Sequence, residues 1–398
     1  MKYTLIGMGG GTDATLTAQG RLALLRADAI AGAARLLETL PEGCTPRRCA
    51  ATKPAAILEA LRGAERPCAV YSGDTGFFSG ARSLIPLLEA EGAEAELLPG
   101  LSSIQLFAAR LRRPWQDWAL VSAHGVACDP VAAVCAGRPA FFLTGGAGGV
   151  ASLCAELAAA GLGSLPVFAG EGLGYPQERI SRGTAGEFAK KTFSPLSVLL
   201  AEAAPRQARR APGLADGLFL RGEVPMTKQE VRAVLLGKLG VGPEMVCWDI
   251  GAGTGSVSVE LALQARAVYA VEREDDACRL IRANRERFGA WNLRLVQGEA
   301  PGALASLPAP DAVFVGGTGG RLREILRAVQ AAAPGARVCV SAIALETVQA
   351  ALAELEALGY ACEAVQIGIS RARRAGQLHL LLAQNPVFLV TGVRPCAK

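Results

Sequence analysis

Aromatic side chains are scarce in this chain: Phe, Tyr and Trp together make up 5% of 398 residues. Proteins that hold nucleic acid by stacking bases need exposed aromatic platforms, so the composition argues against that class. Long uncharged runs are missing too. The longest, Pro139 to Ala155, is broken by four glycines between Gly145 and Gly149 and reads as strand, turn and helix start, not as a membrane span. No Cys-x-x-Cys pair occurs, and the 11 cysteines are odd in number and scattered. That pattern indicates neither a disulfide framework nor a zinc site, so no metal is expected and most thiols should be small buried hydrophobes. Leu5 and Ile6 run at once into a glycine turn and Asp13, unlike a signal peptide. The expectation is a cytoplasmic protein with neither membrane nor nucleic acid as partner.

What the chain has in quantity is glycine, 47 residues, within a 51% hydrophobic composition that suits helices packed on parallel sheets. Its length predicts two or three domains. Net charge is +5, with the first 205 residues neutral and the remainder supplying the whole surplus. Either surface composition drifts or the C-terminal part handles a polyanionic ligand. Strands are predicted at Tyr3–Ile6, Cys68–Tyr71, Ala119–Ser122, Ala140–Leu143 and Pro166–Ala169, with helices at Thr15–Leu25, Ala81–Ala90 and Val150–Ala160. Residues 205–222, rich in Pro, Gly and Arg, read as a linker. Domains are therefore expected at 1–204 and 223–398. After the linker a new α/β series begins with a helix at Lys228–Leu239 and a strand at Met245–Ile250. It continues through helix Asp275–Phe288 and strands Leu293–Gln297 and Ala312–Val315, and closes with strands near Val365–Ile369 and Gln377–Leu382. His379 on the last of these reads as a core histidine, and His124 as a turn residue.

Residues 249–255, Asp-Ile-Gly-Ala-Gly-Thr-Gly, follow a strand and precede a helix. Gly251, Gly253 and Gly255 let the backbone approach a ligand closely, and Thr254 sits among them. A glycine triplet alone fits dinucleotides as well. Glu272, 23 residues after Asp249, ends the next strand, where a carboxylate can take both ribose hydroxyls. Glu299 ends the third, facing the place of an adenine amino group. An acidic residue leading the turn suits the positive methionine end of S-adenosylmethionine and would repel a pyrophosphate. These features favour a Rossmann-like, class I S-adenosylmethionine fold.

Further strings narrow the reading: Pro225-Met-Thr-Lys-Gln-Glu-Val-Arg232, Ala312-Val-Phe-Val-Gly-Gly-Thr-Gly-Gly320, Ala342–Thr347 and Asn385-Pro-Val387. With the Asp249–Gly255 turn they make residues 223–398 similar to the decarboxylating corrin methyltransferases of cobalamin biosynthesis. That resemblance implies methylation of ring carbon 15 of a precorrin or cobalt-precorrin macrocycle, with loss of carbon dioxide from the acetate on carbon 12. Gly316, Gly317, Thr318, Gly319 and Gly320 would admit the bulky ring and offer N–H groups to its carboxylates. Thr227, Lys228 and Arg232 are candidates for closing over substrate or cofactor, and Glu346 for managing a proton. Arg371, Arg373 and Arg374 would meet substrate carboxylates or form a solvated loop.

The first domain carries Gly7-Met-Gly-Gly-Gly11, Tyr71-Ser-Gly-Asp-Thr-Gly-Phe-Phe78, Leu98-Pro-Gly-Leu-Ser-Ser103, Ser122-Ala-His-Gly125, Leu143-Thr-Gly-Gly146, Glu171-Gly-Leu-Gly174 and Glu178-Arg-Ile180. In this order they resemble the tetrapyrrole methylase family, in particular members acting on ring carbon 5. The resemblance implies a two-lobed, class III fold with a second S-adenosylmethionine bound by Gly73, Asp74, Gly76, Ser102 and Ser103. Gly7, Gly9 and Gly11 would line the substrate trough. Gly10 and Thr75 stand where the family often has proline, which is expected to loosen those loops. The combined expectation is a bifunctional, homo-oligomeric methyltransferase. Its rivals are an RNA or translation-factor methyltransferase and a non-catalytic tetrapyrrole-binding protein.

Overall fold

The structure, a computed structural model, describes residues 1–145, 149–205 and 212–394. Its chain forms two compact units, Met1–Ala203 and Ala204–Lys398. No helix among the described residues is long and apolar enough to cross a membrane.

The first unit contains two five-stranded sheets. One is wholly parallel, ordered β3-β2-β4-β1-β5, from β1 (Lys2–Gly7), β2 (Ala29–Gly32), β3 (Arg48–Ala50), β4 (Pro67–Tyr71) and β5 (Glu94–Leu98). The other is mixed, ordered β6-β7-β10-β8-β9, from β6 (Ala119–Ser122), β7 (Ala140–Leu143), β8 (Pro166–Glu171), β9 (Arg179–Thr184) and β10 (Ser197–Ala201). Only β6 and β7 are parallel there. This is the two-lobed α/β arrangement expected from the glycine strings. The apolar strands are legible in sequence. β9, Arg-Ile-Ser-Arg-Gly-Thr, is a half-exposed edge and is not.

The second unit is one seven-stranded sheet with helices on both faces. Its strands are β11 (Val246–Ile250), β12 (Ala267–Glu272), β13 (Leu293–Gln297), β14 (Ala312–Val315), β15 (Arg337–Ala342), β16 (Ala361–Ile367) and β19 (Val387–Val393). The order is β13-β12-β11-β14-β15-β19-β16, parallel through β15 and antiparallel beyond it. Strand order reverses beside β11, between β12 and β14, and in such sheets ligands bind in the crevice at the carboxyl ends of the strands there.

Two expectations need correction. The apolar run near Gln377–Leu382 does not close the sheet. It forms β18 (Leu378–Ala383), which pairs only with β17 (Ser370–Ala375) in a separate hairpin. The closing strand is β19, whose Leu389 and Val390 are fully buried between β15 and β16. His379 is accordingly exposed, not a core residue. Of the 205–222 linker, residues 206–211 lie outside the described residues, as does Gly146 of the first-unit strings. Residues 212–222 are no tether, since Leu214 and Phe219 are buried in the second unit's core. Gly213 and Leu214 also donate their N–H groups to the Glu260 carboxylate.

Candidate functional site

A cleft of about 1780 Å³ opens at the carboxyl ends of the parallel strands of the second unit. Gly251, Gly253 and Thr254 form its floor, Glu272 and Glu299 one side, and Gly316, Gly317, Thr318 and Gly319 another. Thr227 and Lys228 line it from the segment preceding the helix Gln229–Leu239, and Ile369, Gln384, Asn385 and Val387 from the end of the chain.

Strand β11 delivers the turn. Gly251 has φ +70°, and a Cβ there would lie 2.6 Å from the backbone of Gly317, so the turn and the second glycine loop are pressed together. Gly316 and Gly317 both donate N–H to Ile250 O, at 2.9 and 3.3 Å. Those two N–H groups continue the β11–β14 ladder and are not free for substrate carboxylates, contrary to the sequence expectation. Gly255 is likewise turned inward against Ile281, and Gly320 lies outside the cleft lining.

Glu272 is already oriented for a diol. One carboxylate oxygen accepts from Gly253 N at 2.8 Å, the other from Arg273 N and Glu274 N at 2.8 and 3.1 Å. Fixed by three backbone donors, it is held at the cleft wall before any ligand arrives. Glu299 is engaged differently from the sequence reading: Arg273 and Arg321 both pair with it, at 3.1 and 3.2 Å. Sequence reasoning missed both arginines. Arg273 had a readable signal, since it directly follows the ribose-site acid.

Asp249 does not reach the cleft. It is 0% exposed, its Oδ2 accepts from the Ser258 hydroxyl and its Oδ1 has no partner. Burial raises its carboxyl to about 7. Direct contact with a positive methionine end is therefore corrected to a buried carboxyl beneath the turn. Thr254 Oγ1, buried in the turn itself, is also unpartnered. The backbone of the Gly251–Thr254 turn and the Glu272 carboxylate at the cleft wall are the groups that fit the methionine end and the ribose of S-adenosylmethionine.

Arg232 is the clearest relocation. It is 0% exposed, pairs with Glu260 at 2.6 Å and Asp216 at 2.9 Å, and donates to the carbonyls of Thr227 and Leu214. A fully buried guanidinium with all three nitrogens engaged in the core does not face the substrate; it anchors the segment that carries Thr227 and Lys228. Burial works to raise the Asp216 carboxyl, but Arg232 and Arg371 outweigh it and hold it below the usual range. Glu346 is exposed in the first turn of the helix Leu345–Ala357 and outside the cleft lining, so the structure does not bring it to the site. Asn284, unremarked in the sequence, ties the cleft wall together. It bonds both backbone groups of Leu220 at 2.8 Å and Thr254 O at 2.9 Å.

In the first unit Gly9 and Gly73 exchange N–H···O bonds at 3.1 and 2.8 Å, bringing the two glycine loops side by side. Asp74 accepts from Gly76 N at 2.8 Å and Gly100 N at 3.1 Å. Gly7 is sandwiched between Gly73 and Gly100, and the hydroxyl of Tyr175 covers Gly11. Ser102 caps the helix Ser103–Leu111 in a reciprocal arrangement with Gln105, so its hydroxyl is committed to the helix. Gly10 gains a tie that a proline there would lack. Its N–H donates to Thr15 Oγ1 at 2.9 Å, and Thr12 Oγ1 binds Gly174 O at 3.1 Å. His124 is exposed, its Nδ1 3.2 Å from Thr144 O.

Comparisons with known proteins agree on both units. The family described as tetrapyrrole (corrin/porphyrin) methylases matches residues 2–189, and that described as the precorrin methyltransferase domain matches residues 219–394. A precorrin-6Y C(5,15)-methyltransferase (decarboxylating) from a Sinorhizobium species is 32% identical over 98% of this chain and 94% of its own. A cobalt-precorrin-6B C(15)-methyltransferase (decarboxylating) from Salmonella typhimurium is 43% identical over 44% of this chain and 94% of its own. A crystal structure of a precorrin-6Y C5,15-methyltransferase from Geobacter metallireducens shares 35% identity over 47% of this chain and 100% of that one, with a TM-score of 0.45. Fold, site and these matches define a methyltransferase that uses S-adenosylmethionine. The chain belongs to the precorrin-6Y C(5,15)-methyltransferase (decarboxylating) family.

Proposed function

We propose that the chain methylates ring carbons 5 and 15 of a precorrin- or cobalt-precorrin-type macrocycle and removes carbon dioxide from the acetate on carbon 12, with one S-adenosylmethionine held in each unit. It acts as a homo-oligomer in a reducing, cytoplasmic setting, in keeping with cysteines that are scattered and mostly buried. The observation that carries the reading is the cleft of the second unit. At about 1780 Å³ it exceeds the roughly 300–1,000 Å³ of an ordinary small-molecule site, so it leaves room for a macrocycle beside the cofactor.

When bound, S-adenosylmethionine supplies an electrophilic methyl group. The ring carbon is enamine-like and already nucleophilic, so the protein's task is alignment more than proton removal. Glu272 fixes the ribose, and the Gly251–Thr254 turn holds the methionine end. The Gly316–Gly319 loop, with Thr318 its single side chain, leaves a low wall against which a flat ring can approach. Thr227 and Lys228, held by the buried Arg232, close the opposite side and shield the site from water. In the first unit the paired Gly9 and Gly73 loops, with Asp74, play the corresponding positioning role.

The test is a mass spectrum of the macrocycle after incubation with the full chain and S-adenosylmethionine. The expected product gains two methyl groups and loses one carbon dioxide. Product that gains methyl groups and never loses carbon dioxide would sink the assignment of the second unit.

A further inference from the structure

Three arginines around the first unit's glycine loops have an acid at hand: Arg21 pairs with Asp13, Arg110 with Glu178 and Arg179 with Glu171. Arg35 does not. Among the described residues it meets no carboxylate, and its guanidinium donates to the Tyr175 hydroxyl at 3.2 Å. It is also half-buried, so water compensates its charge only in part. A guanidinium carries several N–H donors, and one neutral hydroxyl leaves most of them for a further partner.

The fold brings this pair together from two sheets. β2 ends at Gly32, beside Val70 of β4. A Cβ on Gly32 would lie 2.3 Å from the Val70 side chain, so Val70 fills the space a side chain would take. The one-turn helix Ala34–Leu37 follows, fixed by the buried Leu36 and Leu37. Arg35 therefore leaves the carboxyl end of β2, as the Gly9 and Gly73 loops leave β1 and β4 of the same parallel sheet. Ligands gather at that end of such a sheet. Tyr175 comes from the connection between β8 and β9, where the neighbouring Gly174 carbonyl accepts from Thr12 Oγ1. Its hydroxyl stands over Gly11, 2.3 Å from where a Cβ would lie. A cation and a hydroxyl thus meet beside loops that otherwise offer backbone.

We propose that Arg35 holds a peripheral carboxylate of the macrocycle during methylation at carbon 5, with Tyr175 as the positioning residue that braces its guanidinium. The proposal rests on the function given above for the first unit and names the group there that recognises the substrate's charge. An arginine grips a carboxylate through two parallel N–H···O bonds, which fix orientation as well as attraction. The Tyr175 hydroxyl accepts from Arg35 and keeps its own proton to donate to the same carboxylate. Glycine loops carry no charge that could tell one edge of the ring from another. Arg35 supplies that distinction and turns carbon 5 toward the methyl group.

The experiment uses the full chain, the macrocycle and S-adenosylmethionine labelled in its methyl group, with the carbon 5 methyl read by NMR at several macrocycle and salt concentrations. Arg35→Gln is expected to raise KM about tenfold or more, the loss of a charged hydrogen bond, with circular dichroism and cofactor binding unchanged. Arg35→Lys should recover part of that loss, and Tyr175→Phe should raise KM by a smaller factor. Wild-type KM should climb with salt more steeply than that of Arg35→Gln, because salt screens an ion pair. Arg62, paired with Glu59 and Glu91 at the opposite end of the sheet, is the control, and Arg62→Gln should keep the wild-type KM. A wild type that never methylates carbon 5 overturns the function itself. A wild type that does, with Arg35→Gln unchanged in KM, overturns the proposal alone. So does a raised KM with the wild-type salt dependence, since no ion pair was then lost. Should Arg35→Gln fail to fold, Tyr175→Phe decides by the same measurements.

Discussion

Asp249 shows how a side chain can be indispensable to a site without touching a ligand. Its native carboxyl titrates at about 7, raised by burial, whereas an unfolded aspartate titrates near 3.9. The native state holds that proton more tightly, so its stabilising contribution is complete below about pH 4 and is lost as the pH rises through about 7. The difference in unfolding free energy between wild type and Asp249→Asn should fall across that window and flatten above it, as read from denaturant titrations at several pH values. Arg232 is a second such residue. Arg232→Met leaves the buried Glu260 without its cation and Asp216 with Arg371 alone, and breaking a buried pair from one side costs about 3–5 kcal/mol. The measurement is the urea midpoint. A variant of unchanged midpoint and weakened macrocycle binding would restore Arg232 to the substrate role read from its sequence context. That context, the string from Pro225 to Arg232, located the segment correctly but gave no hint that its arginine points inward.

At the scale of elements, the glycine turn and the second glycine loop behave as one part. Gly251→Ala pushes a methyl group into the backbone of Gly317, so the expected result is loss of methylation at carbon 15 and of carbon dioxide release, while carbon 5 is still methylated. Asn284 joins the helix Asp275–Phe288 to that turn through one hydrogen bond, to Thr254 O, and to the backbone of Leu220 through two more. Asn284→Ala should lower stability by about 1–3 kcal/mol, the cost of stranding buried polar groups, and should weaken cofactor binding in equilibrium dialysis. Most of these elements were legible in sequence because buried parallel strands read as short apolar runs between glycine turns. The failures share a cause. Leu378–Ala383 is nearly as apolar as Val387–Val393, yet only the second is the core strand, and hydropathy cannot say which of two runs finds the gap in a sheet. Arg321 and Asn284 were invisible for another reason: their partners lie far away in the chain, and spacing carries no record of them.

On the scale of the whole molecule, the two unlike units each bring glycine loops together, and the proposed function puts one cofactor in each. Equilibrium dialysis with labelled S-adenosylmethionine should find two molecules bound per wild-type chain and one per Gly251→Ala chain. Two per variant chain would dissociate the turn from cofactor binding. The place of β19 has a kinetic consequence. Strand β16 has no neighbour in the sheet except β19, and β19 lies between it and β15. The parallel strands β11 to β15 can therefore zip together while β16 still waits for a segment that follows it in sequence. Pairings that close long loops form late, since loop entropy is lost before contacts repay it. In pulse-labelled hydrogen exchange during refolding, amides of β16 and β19 should gain protection together, after those of β11, β12 and β14. The β17–β18 hairpin between β16 and β19 is then part of a loop to be closed, and shortening it should speed that last step.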